Sequence, residues 1–382
     1  MIDIETMSIL IVDDLKSMRT IIKKTLRNLN LGKNIFSADN GLEGLQCLHS
    51  NHVDLALVDW KMPVMNGAQM LDAIRNDRQL RDMPVIMVTA ESEKDVVMDV
   101  AEIEVDGYLL KPLTPSILDE KIRTVVDNIN YPDEATLSAR KARTCEEAGK
   151  LGSAIRYMEV ANRLKPSASR LIRNLGLLYG KAGKSEASER CLLKAVSVNS
   201  QDAVTRHILS KIYWKKKEWT KAVEYECEVL SLTTRFNDTA IQAGEKLLDK
   251  NLNPLAIQLF TKVISVTEKN FLMKEKILDL CMEKGELGYS KTLADMLIHE
   301  FPSNHVLLFK AGLVYEAMGE EDKALGYFLE ADKNRVNPVE TKLKIARIYY
   351  LKKKMIQADN YLNQVLRLDS KNKDALALRK TV

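Results

Sequence analysis

Several features of specialised protein classes are missing from this 382-residue chain. Its five cysteines are scattered without a Cys-x-x-Cys pair, which favours reduced thiols over a disulfide framework. No apolar run approaches the roughly 18 residues that a membrane helix requires. Because residues 1–5 are acidic and lack the basic end of a secretory signal, the sequence predicts a cytoplasmic protein without a membrane segment.

Charge is divided unevenly along the chain, although the formal net charge is only +4. Residues 1–134 hold 14 Lys or Arg against 23 Asp or Glu, whereas residues 135–382 hold 43 against 30. Such asymmetry bears on association and solubility rather than on fold. Two independently soluble surfaces are the simpler interpretation, and docking of the acidic part on the basic part is the alternative.

The first 130 residues alternate between short apolar runs and stretches with helical spacing. The runs begin near Ser8, Asn34, Leu55, Pro84 and Gly107. Runs of this length are typical of strands that are buried on both faces. The helical stretches between them include one at residues 96–103. This alternation predicts an α/β, doubly wound, parallel five-stranded sheet, in which ligands bind beyond the carboxyl ends of the strands.

Residues with distinctive chemistry stand at those strand ends. Asp13 and Asp14 follow the first predicted strand, Asp59 ends the third, Thr89 ends the fourth and Lys111 follows the fifth. Converging carboxylates repel one another unless a cation lies among them, and all-oxygen ligation suits Mg²⁺. A lysine and a hydroxyl supply the charge and the donor that a phosphoryl group requires. The pattern therefore predicts a carboxylate that accepts a phosphoryl group with the help of Mg²⁺.

Residues 8–129 resemble the receiver domain of bacterial two-component response regulators, and most closely the stand-alone chemotaxis receiver. The matching stretches are Ile11-Val12-Asp13-Asp14, Asp59-Trp60-Lys61-Met62-Pro63-Val64-Met65-Asn66-Gly67, Met87-Val88-Thr89-Ala90-Glu91 and Gly107-Tyr108-Leu109-Leu110-Lys111-Pro112. The resemblance implies a flavodoxin-like fold. It also implies that Asp59 is the phosphoacceptor, taking its phosphoryl group from a sensor histidine kinase or a phosphotransfer protein.

The same resemblance implies the metal ligands. Asp14 and Asp59 would hold Mg²⁺ together with the backbone carbonyl of Lys61, and Asp13 would act through bound water. Lys61 departs from the asparagine that is common here in chemotaxis receivers, which leaves the lifetime of the phosphate open. We expect slow self-dephosphorylation and no enzymatic output.

The resemblance further implies a switch. Thr89 and Lys111 would hold the phosphoryl oxygens, and Tyr108 would turn inward as Thr89 moves. The bond between Lys111 and Pro112 would be cis, as cis peptide bonds are essentially a proline phenomenon.

The rest of the chain repeats with a period of 34 residues. Seven windows without insertions begin at Ala135, Ser169, Ala203, Asn237, Phe271, His305 and Val339. The eighth position is small in every window except the fifth, where Leu278 stands. A glycine recurs where the first helix of a window should end, at Gly149, Gly183, Gly285 and Gly319.

This period resembles the tetratricopeptide repeat (TPR) and predicts an all-α TPR superhelix. We predict a receiver at 1–130, a linker at 131–134, seven repeats at 135–372 and a capping helix at 373–382.

The repeat resemblance also places certain positions on a concave, partner-binding face. In the second and third repeats the candidates are mostly basic: Arg170, Arg173, Lys181, His207, Lys211, Trp214 and Lys215. In the fourth and fifth they are acidic: Asp238, Glu245, Asp249, Glu275, Asp279 and Glu283. An unidentified target protein with the opposite order of charge would be attracted to such a groove. The alternative is a merely solvated face.

These observations together indicate a response regulator whose output is contact with other proteins. Three rivals remain: a kinase-binding inhibitor or scaffold, a phosphate sink, and a receiver that no longer takes phosphate. RNA binding through the lysine runs 215–217 and 352–354 is a minor alternative. No ladder of stacking aromatics accompanies these runs, so nucleic acid is not the expected partner. Pairing into a homodimer is left open.

Overall fold

The structure, a computed structural model, describes residues 1–90, 105–267, 270–302, 304–333 and 336–380. The chain divides into two compact units, Met1–Thr233 and Thr234–Val382. The helix predicted at residues 96–103 lies outside the described residues. Within the described ranges, no helix has the length and the apolar character that a membrane crossing demands.

Five parallel strands form a sheet in the order β2-β1-β3-β4-β5. Their bounds are β1 Ser8–Val12, β2 Asn34–Ala38, β3 Leu55–Asp59, β4 Val85–Ala90 and β5 Gly107–Lys111. Side chains of alternate residues enter two cores, so that Leu10 and Val58 pack on one face and Ile9 and Leu57 on the other. The predicted doubly wound sheet is confirmed. Its strand order reverses beside β1, and crevices at such points receive ligands in this class of fold.

Four described helices belong to the sheet: α1 Lys16–Asn28, α2 Gly41–Ser50, α3 Gly67–Asn76 and α4 Pro115–Asn130. The start of α3 is defined by a capping box, in which the Asn66 side chain accepts from the backbone N–H of Gln69 and the Gln69 side chain accepts from that of Asn66. The α4 helix begins with Pro115 after Thr114, whose hydroxyl caps it. The cap of α3 matters because it ends the loop that begins directly after Asp59, the last residue of β3.

The remaining helices form antiparallel pairs. The first unit contains α5 Glu134–Glu147 with α6 Leu151–Leu164, α7 Ser169–Lys181 with α8 Ser185–Val198, and α9 Ala203–Lys215 with α10 Trp219–Leu232. The second contains α11 Asn237–Leu248 with α12 Asn253–Val266, α13 Phe271–Glu283 with α14 Leu287–Glu300, α15 His305–Ala317 with α16 Glu321–Lys333, α17 Pro338–Leu351 with α18 Met355–Leu368, and then α19 Lys373–Arg379. The first helix of every pair begins at a predicted window start or one residue before it.

The small residues predicted for the repeats have clear structural reasons. Gly149, Gly183, Gly285 and Gly319 end their helices with φ between 73° and 75°, a conformation that glycine adopts without steric cost. At the eighth position of the sixth window, a Cβ on Gly312 would lie only 2.5 Å from the Phe328 ring. The paired helices therefore approach one another closely through this glycine.

Within the first unit, hydrogen bonds tie the end of α4 to the N-terminal residues, and ion pairs join the receiver to the first repeat. Asn130, the last residue of α4, exchanges two hydrogen bonds with the backbone of Ile2, at 2.7 and 2.8 Å. On another side, Arg81 forms a two-pronged ion pair with Glu147 of α5, and Asp82 pairs with Arg143 of the same helix. The receiver and α5 therefore each contribute one cation and one anion to these two ion pairs.

Candidate functional site

Three charged side chains meet at the carboxyl ends of β1, β3 and β5. The ammonium nitrogen of Lys111 lies 2.7 Å from Asp59 Oδ1 and 3.0 Å from Asp13 Oδ2. Asp13 and Asp59 are only 1% and 6% exposed. Buried carboxylates require compensating charge, and here the lysine supplies it. The structure therefore brings together three of the residues that the sequence singled out.

The environment perturbs the titration of this cluster. Burial raises the pKa of Asp59, and the hydrogen bond from Lys111 opposes that rise. Burial also acts to lower the pKa of Lys111, but its hydrogen bonds to Asp59 and Asp13 outweigh this effect, so that the net shift is upward. The lysine consequently stays charged at neutral pH. The carboxylate of Asp59 is less well solvated than an exposed one, which makes it more basic.

The loop after β3 forms the wall of a shallow cleft beside this cluster. Asp14, Trp60, Lys61 and Asn66 line the cleft, and Asp14 is exposed. The loop returns to the strand end through Gly67, whose N–H donates to the Trp60 carbonyl at 2.9 Å. A Cβ at Gly67 would lie 2.2 Å from the carbonyl oxygen of Asp59, so only glycine fits. The family motif includes Gly67, but its packing role was not predicted.

The two predicted switch residues lie on neighbouring strands. Thr89 is buried and follows Val88, which is the register partner of Asp59 in the β3–β4 pair. Tyr108 is 47% exposed, and the Lys121 ammonium lies 5.6 Å from its ring centre. The aromatic ring thus lies outward in this conformation. The peptide bond between Lys111 and Pro112 is cis, as predicted.

Arg19 is a site residue that the sequence reasoning missed. Its guanidinium donates to the backbone carbonyls of Asp13, at 2.6 Å, and Asp14, at 3.2 Å, and it pairs with Asp39 at 2.7 Å. It therefore fixes the backbone that carries the two adjacent acids. The available signal was a basic residue one turn into the helix that follows the acidic pair.

The donor atoms around the cluster are oxygens, which is the ligand type that Mg²⁺ prefers. In the described part of the chain, no three His, Cys, Asp or Glu side chains are arranged to hold a metal by themselves. The ligand set implied by the sequence differs from such a cluster, because it combines the Asp14 and Asp59 carboxylates with the Lys61 backbone carbonyl. The residues present fit Mg²⁺ in chemistry and in sign of charge.

The structure corrects the predicted basic groove at two positions. Arg173 is buried and pairs with Asp202 at 3.0 Å, and His207 is buried against Glu226 at 3.1 Å. Neither side chain can present its polar end to a partner, because each is directed into the helical core. Arg170, Lys181, Lys211 and Lys215 are exposed, and Trp214 is half-buried against Trp219.

The predicted acidic stretch is also altered by pairing. Lys276 lies 3.2 Å from Asp238, Lys284 lies 2.6 Å from Asp249, and Lys310 bridges Glu275 and Asp279 at 2.8 and 2.7 Å. In each case the lysine belongs to the following window. Much of the acidic charge is therefore balanced by a neighbouring repeat.

The fold and this cluster define a receiver domain, and the chain belongs to the response regulator family. Residues 9–123 match the model of the response regulator receiver domain. Residues 173–202 and 339–372 match the model of the tetratricopeptide repeat. The protein is thus a CheY-like receiver joined to TPR repeats.

Among individual relatives, the chemotaxis protein CheY of Pseudomonas aeruginosa is 44% identical over 124 residues, which is 32% of this chain and 99% of that protein. CheY-3 of Vibrio cholerae is 39% identical over 125 residues, covering 33% of this chain and 95% of the relative. A high-resolution structure of the chemotaxis response regulator CheY4 from the same species is 28% identical, with a TM-score of 0.30, and the match covers 31% of this chain and 98% of that one. These relatives span the receiver alone.

Proposed function

We propose that the chain is a two-component response regulator in which Asp59 accepts a phosphoryl group from the phosphohistidine of a sensor histidine kinase or a phosphotransfer protein. The observation that carries this proposal is the 2.7 Å contact between Lys111 Nζ and Asp59 Oδ1 at the end of β3. A buried carboxylate with a raised pKa is a basic nucleophile. The adjacent ammonium is placed to balance the charge that the reaction brings in.

In the transfer step, a carboxylate oxygen of Asp59 attacks phosphorus. The new O–P bond forms as the P–N bond to the donor imidazole breaks, and the departing nitrogen keeps the electron pair and takes up a proton. Lys111 then faces a phosphoryl oxygen, and the hydroxyl of Thr89 donates to another. Asp14, Asp59 and the Lys61 carbonyl would hold Mg²⁺, with Asp13 acting through water, and the bound ion would supply charge neutralisation on the phosphoryl oxygens.

The repeats provide the output in this proposal. Residues 1–130 act as the receiver, 131–134 as a linker, 135–372 as seven repeats that bind target proteins, and 373–382 as a cap. Thr89 and the exposed Tyr108 link the phosphoryl group to the receiver surface. A few kcal/mol of differential stability is enough to shift the population between two such surfaces. No enzymatic output is expected beyond slow loss of the phosphoryl group.

Intact-mass spectrometry with acetyl phosphate and Mg²⁺ tests the phosphoacceptor. We expect the wild-type chain to gain the mass of one phosphoryl group, and we expect neither Asp59→Asn nor a magnesium-free sample to gain it. A mass gain that persists in Asp59→Asn would overturn the assignment.

Affinity capture with and without beryllofluoride, a phosphoryl mimic, tests the output. The proposal requires that some captured proteins differ between the two conditions and that Asp59→Asn abolishes the difference. If the captured proteins were the same with and without beryllofluoride and with Asp59→Asn, the result would support a passive scaffold. Rapid loss of the phosphoryl group with unchanged capture would support a phosphate sink.

A further inference from the structure

A cleft of about 480 Å³ lies within the first unit, between the edge of the receiver and the first two repeats. The receiver contributes Arg81, Asp82 and Val105 to its wall, and the repeats contribute residues of α5 and α7, including Arg140 and Arg170. The size is that of a site for a small molecule or a short peptide segment. Both parts of the protein are needed to form it.

The wall of the cleft holds more cationic than anionic side chains, and five of its cations already pair with carboxylates: Arg75, Arg81, Arg143, Lys165 and Lys181. Its lining contains seven cationic side chains and three anionic ones, namely Arg75, Arg81, Arg140, Arg143, Lys165, Arg170 and Lys181 against Asp82, Asp106 and Glu146. Arg140 is half-buried, and among the described residues its guanidinium takes part in no ion pair. A cleft with low-dielectric walls and excess charge of one sign concentrates ligands of the opposite sign.

Apolar side chains line other parts of the same cleft. They come from both contributors: the partly buried Val105 and Ile129 from the receiver, and Leu171 and the exposed Leu177 from the repeats. A ligand that carries only negative charge would leave this surface in contact with water. The lining therefore suits a ligand that combines carboxylates with an apolar side chain.

Two carboxylates of the receiver already interact with the arginines of this wall. Asp82 pairs with Arg143. Partial desolvation of its carboxyl raises the pKa of Asp106, and the charges of Arg75 and Arg170 oppose that rise. The receiver thus presents acidic side chains to arginines of the repeats in the same place where an external acidic segment would bind.

We infer that this cleft binds an acidic peptide segment of a partner protein, whose carboxylates contact Arg140 and Arg170, and that Asp82 competes with it for Arg143. The inference rests on the proposed function, since it names the kind of partner on which the repeats act. It differs from a groove formed by the repeats alone, because the receiver supplies one wall and one competing carboxylate. Anything that moves the receiver edge changes the affinity.

A nucleic acid fits this cleft less well than a peptide does. Sequence-tolerant binding of single strands relies on aromatic rings that stack on bases. No aromatic side chain is found among the described residues that line the cleft. RNA binding is therefore an outcome that the experiment below separates from peptide binding.

Fluorescence anisotropy on the full, unphosphorylated chain tests the inference, with a fluorescein-labelled peptide of alternating glutamate and leucine as the probe. We expect the double variant Arg140→Gln with Arg170→Gln to weaken binding by about tenfold or more, since charge-assisted hydrogen bonds are lost. The matched control, Arg163→Gln with Lys194→Gln, removes two exposed charges outside the cleft. It should change the affinity by less than about twofold.

Removing the competing carboxylate should change the affinity for the peptide in the opposite direction. Asp82→Asn should tighten peptide binding, because Arg143 is released, whereas Glu120→Gln, on the exposed side of α4, should leave it unchanged. Equal losses in the cleft double variant and in its matched control would overturn the inference as unspecific charge attraction. A labelled oligouridine that binds more tightly than the peptide, and is lost in the Arg140 and Arg170 variant, would overturn it in favour of RNA.

The two proposals fail separately. Labelling of Asp59 is read from the mass of the chain, and peptide binding is read without phosphorylation. Normal labelling with no peptide binding would overturn only the inference about the cleft.

Discussion

The guanidinium of Arg19 donates a hydrogen bond to the backbone carbonyl of Asp13 at 2.6 Å, and so an arginine of α1 orders the loop that carries the two adjacent acids. We expect Arg19→Ala to slow phosphorylation by acetyl phosphate, because Asp13 and Asp14 lose their fixed position. We also expect a loss of about 1.5–3 kcal/mol in the free energy of unfolding, as is typical for hydrogen bonds to charged groups. Rates from intact-mass spectrometry and urea unfolding measure the two effects.

Arg27→Ala is the matched control, since Arg27 is exposed on the same helix. It should leave the phosphorylation rate unchanged. If Arg19→Ala proved no slower than Arg27→Ala, the positioning role of Arg19 would be wrong.

We predict that the buried pair of Arg173 and Asp202 stabilises the fold and does not contact a partner. Asp202 is 1% exposed, and it also accepts from the N–H and hydroxyl of Thr205. Arg173→Met should cost about 3–5 kcal/mol in the free energy of unfolding, because an uncompensated charge is left buried. Adding Asp202→Asn should recover much of this cost.

Urea unfolding followed by circular dichroism provides the double-mutant cycle for this pair. Additive losses in the two single variants and the double variant would contradict the coupling. Arg173→Glu is consequently a poor probe of the groove, because its effect on folding would mask any effect on binding.

Tyr179 and Glu159 link the first two repeats through a pH-sensitive hydrogen bond of 2.6 Å. This bond raises the pKa of Tyr179 from 10.0 to about 12. The protonated phenol is favoured in the folded state, so its stabilising effect is complete below pH 10 and is lost as pH rises through about 12. We expect Tyr179→Phe to cost about 1 kcal/mol at pH 8 and less at higher pH.

Unfolding in urea at several pH values between neutrality and pH 11 measures this dependence. Glu159→Gln keeps an acceptor but removes the carboxylate, so it should return the pKa of Tyr179 toward its ordinary value. A constant difference between wild type and Tyr179→Phe at every pH would exclude the proposed linkage.

Two glycines of α15 and α16 should respond in opposite ways to alanine. A Cβ at Gly312 would meet the fully buried Phe328 ring at 2.5 Å, so Gly312→Ala should destabilise the fold by about 1–3 kcal/mol. A Cβ at Gly326 would meet no other atom within 4 Å in the described part of the chain, and alanine there should stabilise the helix by about 0.5–1 kcal/mol. Thermal unfolding of the two variants provides the comparison, and a shift in the same direction would refute it.

The sheet could be predicted because its central strands β1 and β3 are short apolar runs that are buried on both faces, whereas the edge strands β2 and β5 are partly exposed and gave a weaker signal. Asp59 and Lys111 could be assigned to one edge since parallel strands end on the same side. The repeats could be predicted from their period alone, and Gly319 shows why a particular residue type recurs. These are properties that neighbouring residues in the sequence determine.

Charges in the repeats were harder to predict, because their surroundings depend on residues far along the chain. Arg173 is buried because Asp202 lies opposite it, and His207 because Glu226 does. The acid of one window is balanced by the lysine of the next, as Asp249 and Lys284 show. The position of a residue within a repeat predicts the face of the helix on which its side chain lies. It does not predict which other residue neutralises the charge of that side chain.

Only three residues, 131–133, separate the last helix of the sheet from the first helix of the repeats. Extended residues span at most about 3.6 Å each, so α5 cannot travel far from the receiver. Partly exposed ion pairs such as Arg81 with Glu147 are individually worth no more than about 1 kcal/mol. A tether this short nevertheless keeps the two sides at an effective concentration on the order of millimolar, so that weak pairs re-form whenever they open. The length of the connecting segment, more than the strength of any one bond, governs how often the receiver and the first repeat are found together.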